Sequence, residues 1–178
     1  MWPKDVLLDV VKSANNINAS DKHKRTALHI AANRDNYRFV RCLIKLAKTN
    51  VDAVDERNWT AMHYAAKQGH GRVITSLCLA GADSNLKTKD GSRTPIHLAC
   101  LEGHTHIVRM LYHHGKADIT PRTSKGRTVV HLAASNPDND ECLQMVLSTG
   151  YFKVDDTDNT MNTALHYKKV SKHTKKLI

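Results

Sequence analysis

A threonine opens the same short phrase five times in this chain, at Thr26, Thr60, Thr94, Thr128 and Thr163, and successive copies lie 34, 34, 34 and 35 residues apart. The phrases are Thr26-Ala27-Leu28-His29, Thr60-Ala61-Met62-His63, Thr94-Pro95-Ile96-His97, Thr128-Val129-Val130-His131 and Thr163-Ala164-Leu165-His166. A repeat of this length is one supersecondary unit that cannot bury its apolar face alone. Copies must therefore stack on one another, and a stack is what the 178 residues can build.

Each unit carries the same local signals. A turn comes first, such as Asp55-Glu56-Arg57-Asn58 or Lys89-Asp90-Gly91-Ser92. The threonine then caps a helix, and Pro95 sits at the first helical position, where its missing N–H costs nothing. The pairs Ala31-Ala32, Ala65-Ala66 and Ala133-Ala134 are small enough for neighbouring first helices to pack side by side. Gly69 and Gly103 end those helices. Second helices follow at Phe39-Val40 to Leu43-Ile44, Val73-Ile74 to Leu77-Cys78 and Ile107-Val108 to Leu111-Tyr112, with Gly81, Gly115 and Gly150 expected to stop them. Departures predict local irregularity: Asp35 stands where the helix-ending glycine belongs, and Pro137 stands there in the fourth unit, beside the extra residue.

The runs Thr26-Ala27-Leu28-His29-Ile30-Ala31-Ala32 and Thr94-Pro95-Ile96-His97-Leu98-Ala99, with Gly69-His70, Gly103-His104 and Gly81-Ala82-Asp83, resemble the ankyrin repeat. The resemblance implies an all-α ankyrin-repeat solenoid of stacked helix-turn-helix units with short β-hairpin tips. It divides a single domain, 1–178, into an N-terminal cap helix (1–20), units at 21–54, 55–88, 89–122 and 123–157, and a partial capping unit (158–178). It also implies that His29, His63, His97, His131 and His166 tie neighbouring hairpins together. Asn18 and Asn85, at the exit position, read as turn-stabilising residues.

Catalysis finds no foothold. There is no phosphate-cradling glycine loop, nucleophile elbow or HExxH pair, and the His104, His106, His113, His114 cluster lacks chelating spacing. Neither enzyme activity nor a metal or cofactor is expected. Cys42, Cys78, Cys100 and Cys142 fall in apolar helical stretches and read as reduced core thiols. No 18-residue apolar run and no signal-peptide pattern at Met1-Trp2-Pro3-Lys4-Asp5 appears, so a cytoplasmic or nuclear, monomeric protein is the expectation.

What remains is charge. Lys and Arg number 27 against 17 Asp and Glu, a net +10, which argues for acidic partners. Just before their threonines stand Arg25, Trp59, Arg93 and Arg127, a row predicted to form a ladder of three guanidiniums with an indole on the second rung, the alternative for Trp59 being to fold down onto the neighbouring hairpin. Arg and Trp dominate binding hot spots, and Arg forks onto carboxylate or phosphate. With Lys22, His23, Arg57, Lys89 and Lys125 in the turns, and Arg34, Lys67 and Leu101 on the first helices, they form the predicted partner-binding set. The resemblance supplies a protein-interaction module; the residues add that its partner offers an acidic or phosphorylated segment. Alternatives are a nuclear transcription co-regulator resembling the inhibitor-of-NF-kappa-B group, and nucleic-acid or anionic-lipid binding through the same stripe. The basic tail Lys168, Lys169, Lys172, Lys175, Lys176 reads as solvated capping charge, the alternative being a weak nuclear-import or anionic-surface patch.

Overall fold

A computed structural model describes residues 16–46, 48–136, 139–153 and 155–168. The predicted cap helix, Pro137 and the tail from Lys169 lie outside the described residues. Among those described, nine α-helices follow one another: α1 (Ala27–Asn33), α2 (Tyr37–Ile44), α3 (Ala61–Gln68), α4 (Gly71–Leu79), α5 (Pro95–Glu102), α6 (Thr105–His113), α7 (Val129–Ser135), α8 (Asp140–Leu147) and α9 (Ala164–Tyr167). First helices pack in the order α1, α3, α5, α7, α9, and second helices in the order α2, α4, α6, α8.

Between the layers lies one core. The paired small residues Ala31-Ala32, Ala65-Ala66, Ala99-Cys100 and Ala133-Ala134 are fully buried, and Val40, Leu43, Val73, Ile74, Leu77, Ile107, Val108 and Leu111 close on them from the second helices. At about 8–10 Å between helix axes, no bulkier pair would fit.

Each first helix starts in the same way. The backbone N–H of Thr26, Thr60, Thr94, Thr128 and Thr163 donates to Nδ1 of the histidine three residues on, at 3.0, 3.1, 3.2, 3.2 and 3.1 Å. The threonine oxygen in turn caps the third N–H, a capping box with histidine in place of the usual acid. An accepting Nδ1 places the proton on Nε2. From there His29, His63 and His131 donate to the carbonyls of Trp59, Arg93 and Asn162 in the following unit, and His97 to that of Pro121 just before it, at 2.9 to 3.2 Å. Burial drives the His63 and His97 rings down to about 4 and lowers His29 as well.

Gly69 and Gly103 end α3 and α5 in the left-handed region, and a Cβ on Gly69 would stand 2.9 Å from His104 Cε1. Asp35 adopts that conformation too, at φ 52°. Gly115 departs from expectation: the left-handed residue there is Lys116, and Gly115 is needed for space, since a Cβ would lie 2.9 Å from the Leu111 carbonyl oxygen. Asn18 and Asn85 span consecutive units. Asn18 donates to Lys48 O and accepts from Asn50 N, and Asn85 does the same with Lys116 O and Asp118 N. In the fourth unit Asn139 takes over a job done earlier by His70 and His104. Those rings reach back to Asn33 O and Lys67 O, and the Asn139 amide reaches Cys100 O at 2.8 Å.

The candidate partner-binding edge

The turns between units form one edge of the stack. They are closed by backbone bonds from Asp21 N to Arg25 O, Asp55 N to Trp59 O, Thr88 N to Arg93 O, Thr123 N to Arg127 O and Asp158 N to Asn162 O. A side-chain oxygen at the first position completes each closure. Oδ1 of Asp21, Asp55 and Asp158 accepts two turn N–H groups, and the hydroxyls of Thr88 and Thr123 accept the N–H of Arg93 and Arg127. Successive tips are joined by one backbone bond each: Glu56 N to His23 O, Lys89 N to Arg57 O, Ser124 N to Gly91 O and Asn159 N to Lys125 O. Among the described residues the tips are tight turns with isolated bridges at Ser20–Thr26 and Thr157–Thr163, shorter than the β-hairpins expected.

The row Arg25, Trp59, Arg93, Arg127 does lie along this edge, but its four members have different fates. Arg25 is held by its own turn: Nε and Nη2 donate to Asp21 Oδ2 at 2.9 and 2.7 Å, which pulls the Asp21 carboxyl down to about 2. Trp59 is only 4% exposed, so the indole on the ladder is corrected in favour of the alternative, a ring folded down onto the neighbouring tip. Its Nε1–H donates to Asp90 on the next tip at 3.1 Å, and the ring packs 5.1 Å from Tyr64. Arg127 faces Asp158 at 3.5 Å and stacks 4.5 Å above Tyr167. Arg93 alone keeps a guanidinium with no carboxylate partner among the described residues.

The other predicted residues divide similarly. Arg57 and Lys67 sit over the buried indole, at 5.0 and 5.7 Å, and Arg57 also donates to the Tyr64 hydroxyl at 3.2 Å. Lys89 donates to Glu56 O, and His23 lies 3.1 Å from the Glu56 carboxylate. Lys22, Lys125 and Arg34 are exposed, and Leu101 is half-buried against the core. His104 and His106 both turn toward backbone carbonyls of the preceding unit, Lys67 O and Gly69 O.

Two tyrosines escaped the sequence reading. Tyr64 and Tyr167 donate to Oδ2 of Asp55 and Asp158 at 2.7 and 2.6 Å, each nine residues after its aspartate. The Tyr167 hydroxyl holds the Asp158 carboxyl well below its usual range. Burial pushes Asp55 up, but the Tyr64 hydroxyl and the turn N–H groups outweigh it and leave a net lowering. The matching spacing of the Asp-Tyr pairs was the available signal. Asp21 has Ile30 at that distance instead, which leaves its Oδ2 for Arg25.

The family profile described as ankyrin repeats, in three copies, matches residues 5–90 and 71–158. The chain belongs to the ankyrin-repeat family. No curated protein sequence matches it closely enough to serve as a relative. Ankyrin repeats are in general non-enzymatic modules of protein–protein interaction, and among the described residues of this ankyrin-repeat chain no helix is long and apolar enough to cross a membrane.

Proposed function

We propose that this ankyrin-repeat chain binds an acidic or phosphorylated segment of a partner protein, laid across the second to fourth turns. One observation carries the reading. Arg57 and Lys67 are held in place over the Trp59 ring without a direct ion pair among the described residues, and Arg93 follows in the next unit, also without one. Cations fixed by a ring beneath them lose less freedom on meeting an anion than free side chains do. Lys89 and Lys125 extend the line. Arg25 and Arg127, occupied by Asp21 and Asp158, serve the fold instead.

The test is fluorescence anisotropy with a glutamate-rich peptide, with and without phosphoserine. Lys67→Glu combined with Arg93→Glu is expected to weaken binding at least about tenfold, the scale of one or two hot-spot residues, with melting unchanged. Arg34→Glu, away from the indole, is expected to change affinity less than threefold. Equal loss in both variants, or none in the first, refutes this reading.

A further inference from the structure

We propose that the solvent face of α2, together with that of α4, is a docking surface for an anionic lipid bilayer. This is a different surface from the turn edge and does not rest on the function proposed above.

From Asn36 to Val51 the chain contains no acidic residue. Within that stretch Arg38, Arg41 and Lys45 stand at i, i+3 and i+7, all exposed, on the side of α2 away from buried Val40 and Leu43. Arg34 and Lys48 are exposed at either end. Among the described residues none of Arg34, Arg41, Lys45 and Lys48 has a carboxylate partner. Arg38 donates instead to the Tyr37 hydroxyl at 3.2 Å, and Arg72 of α4 lies 5.0 Å from the same ring.

Among the described residues no carboxylate answers this stripe. Like charges three and four apart repel, and Arg38 in the first turn of α2 opposes the helix dipole, although Arg41 and Lys45 at its other end suit it. Elsewhere on the outer layer such a charge is answered: Arg109 of α6 meets Glu141 of α8 at 3.2 Å. Among the described residues, α4 beside α2 offers no such answer. Exposed Arg72, Thr75 and Leu79 occupy i, i+3 and i+7 of α4, with Leu79 84% exposed.

Shape and chemistry together select a bilayer. Two adjacent helix ridges make a broad contact rather than a groove for a peptide. A bare leucine beside six cations suits the boundary between headgroups and acyl chains, and gains nothing against a nucleic-acid backbone. The Tyr37 ring, already taken by two guanidiniums, is not available to stack a base.

The experiment is co-sedimentation of the full chain with vesicles at 0.15 M salt. Binding is expected to phosphatidylcholine vesicles holding about 30% phosphatidylserine, and not to phosphatidylcholine alone. Each cation near such a surface is worth about fivefold in partitioning, so Arg38→Gln, Arg41→Gln and Lys45→Gln together are expected to lower it about 100-fold. Leu79→Ser is expected to lower it several-fold with melting unchanged. Lys67→Glu with Arg93→Glu is expected to leave vesicle binding within about threefold of the parent, which separates the two surfaces. The proposal is overturned if the parent ignores anionic vesicles, or if the triple variant binds like the parent. It is also overturned if a 20-base-pair duplex or a polyglutamate peptide binds this face tenfold more tightly than the vesicles do.

Discussion

Acidification from pH 7 to pH 5 is expected to destabilise the fold steeply, and the cause is the buried histidine spine. In His63 and His97 the Nδ1 atom accepts a backbone N–H and Nε2 donates to a distant backbone carbonyl, so only the neutral ring fits. Both sit at about 4 in the folded chain against an ordinary value of 6.5. Between those values the unfolded chain binds protons that the folded chain refuses, so stability is fully present above the unfolded value and is lost as pH falls toward the folded one. At pH 5 each ring accounts for a loss of about 2 kcal/mol relative to pH 7, roughly 4 kcal/mol for the two, and His29 shifts in the same direction. For a chain of this size that is a fall in melting temperature of roughly 8–16 °C. Asp21 is held down to about 2 and Asp158 is also lowered, so neither contributes in this window. Urea unfolding followed by circular dichroism at fixed ionic strength measures the slope, which is expected to approach two protons taken up on unfolding near pH 5. A total loss under about 1 kcal/mol between pH 7 and pH 5 would show that the rings accept a proton without breaking either bond, and would refute the reasoning.

Two further outcomes concern the backbone. Met161 holds φ 63° two residues before its threonine while 75% exposed, so Met161→Gly is expected to stabilise by about 0.5–1 kcal/mol in urea titration. Gly69 has φ 77° and His104 packed against it, so Gly69→Ala is expected to cost about 2 kcal/mol, seen as a lower urea midpoint with the slope unchanged.

The stack was legible because period, caps and small residues all report local backbone geometry. Thr60, His63, Ala65-Ala66 and Gly69 announce the start, packing side and end of α3 within ten residues. The edge was less legible because its electrostatics are settled across turns. Asp21, four residues before Arg25, neutralises it within one tip, and that spacing could have been read. Trp59 is buried because Asp90, 31 residues away, presents an acceptor to its N–H, and Arg127 is occupied through Asp158 at the same separation. Lining up one column of residues shows what each position carries. It does not show which neighbouring column answers it, since that depends on how the tips are offset.

Along the spine of rings, His29, His63, His97 and His131 each hold two places in the stack at once, one nitrogen turned to its own helix start and the other to a carbonyl 24 to 31 residues further on. Loosening any of those four helix starts therefore strands a carbonyl further along the stack, so disorder introduced at a single tip is felt beyond it. Tension on the stack is shared among its members, which makes this series of small parts respond as one spring.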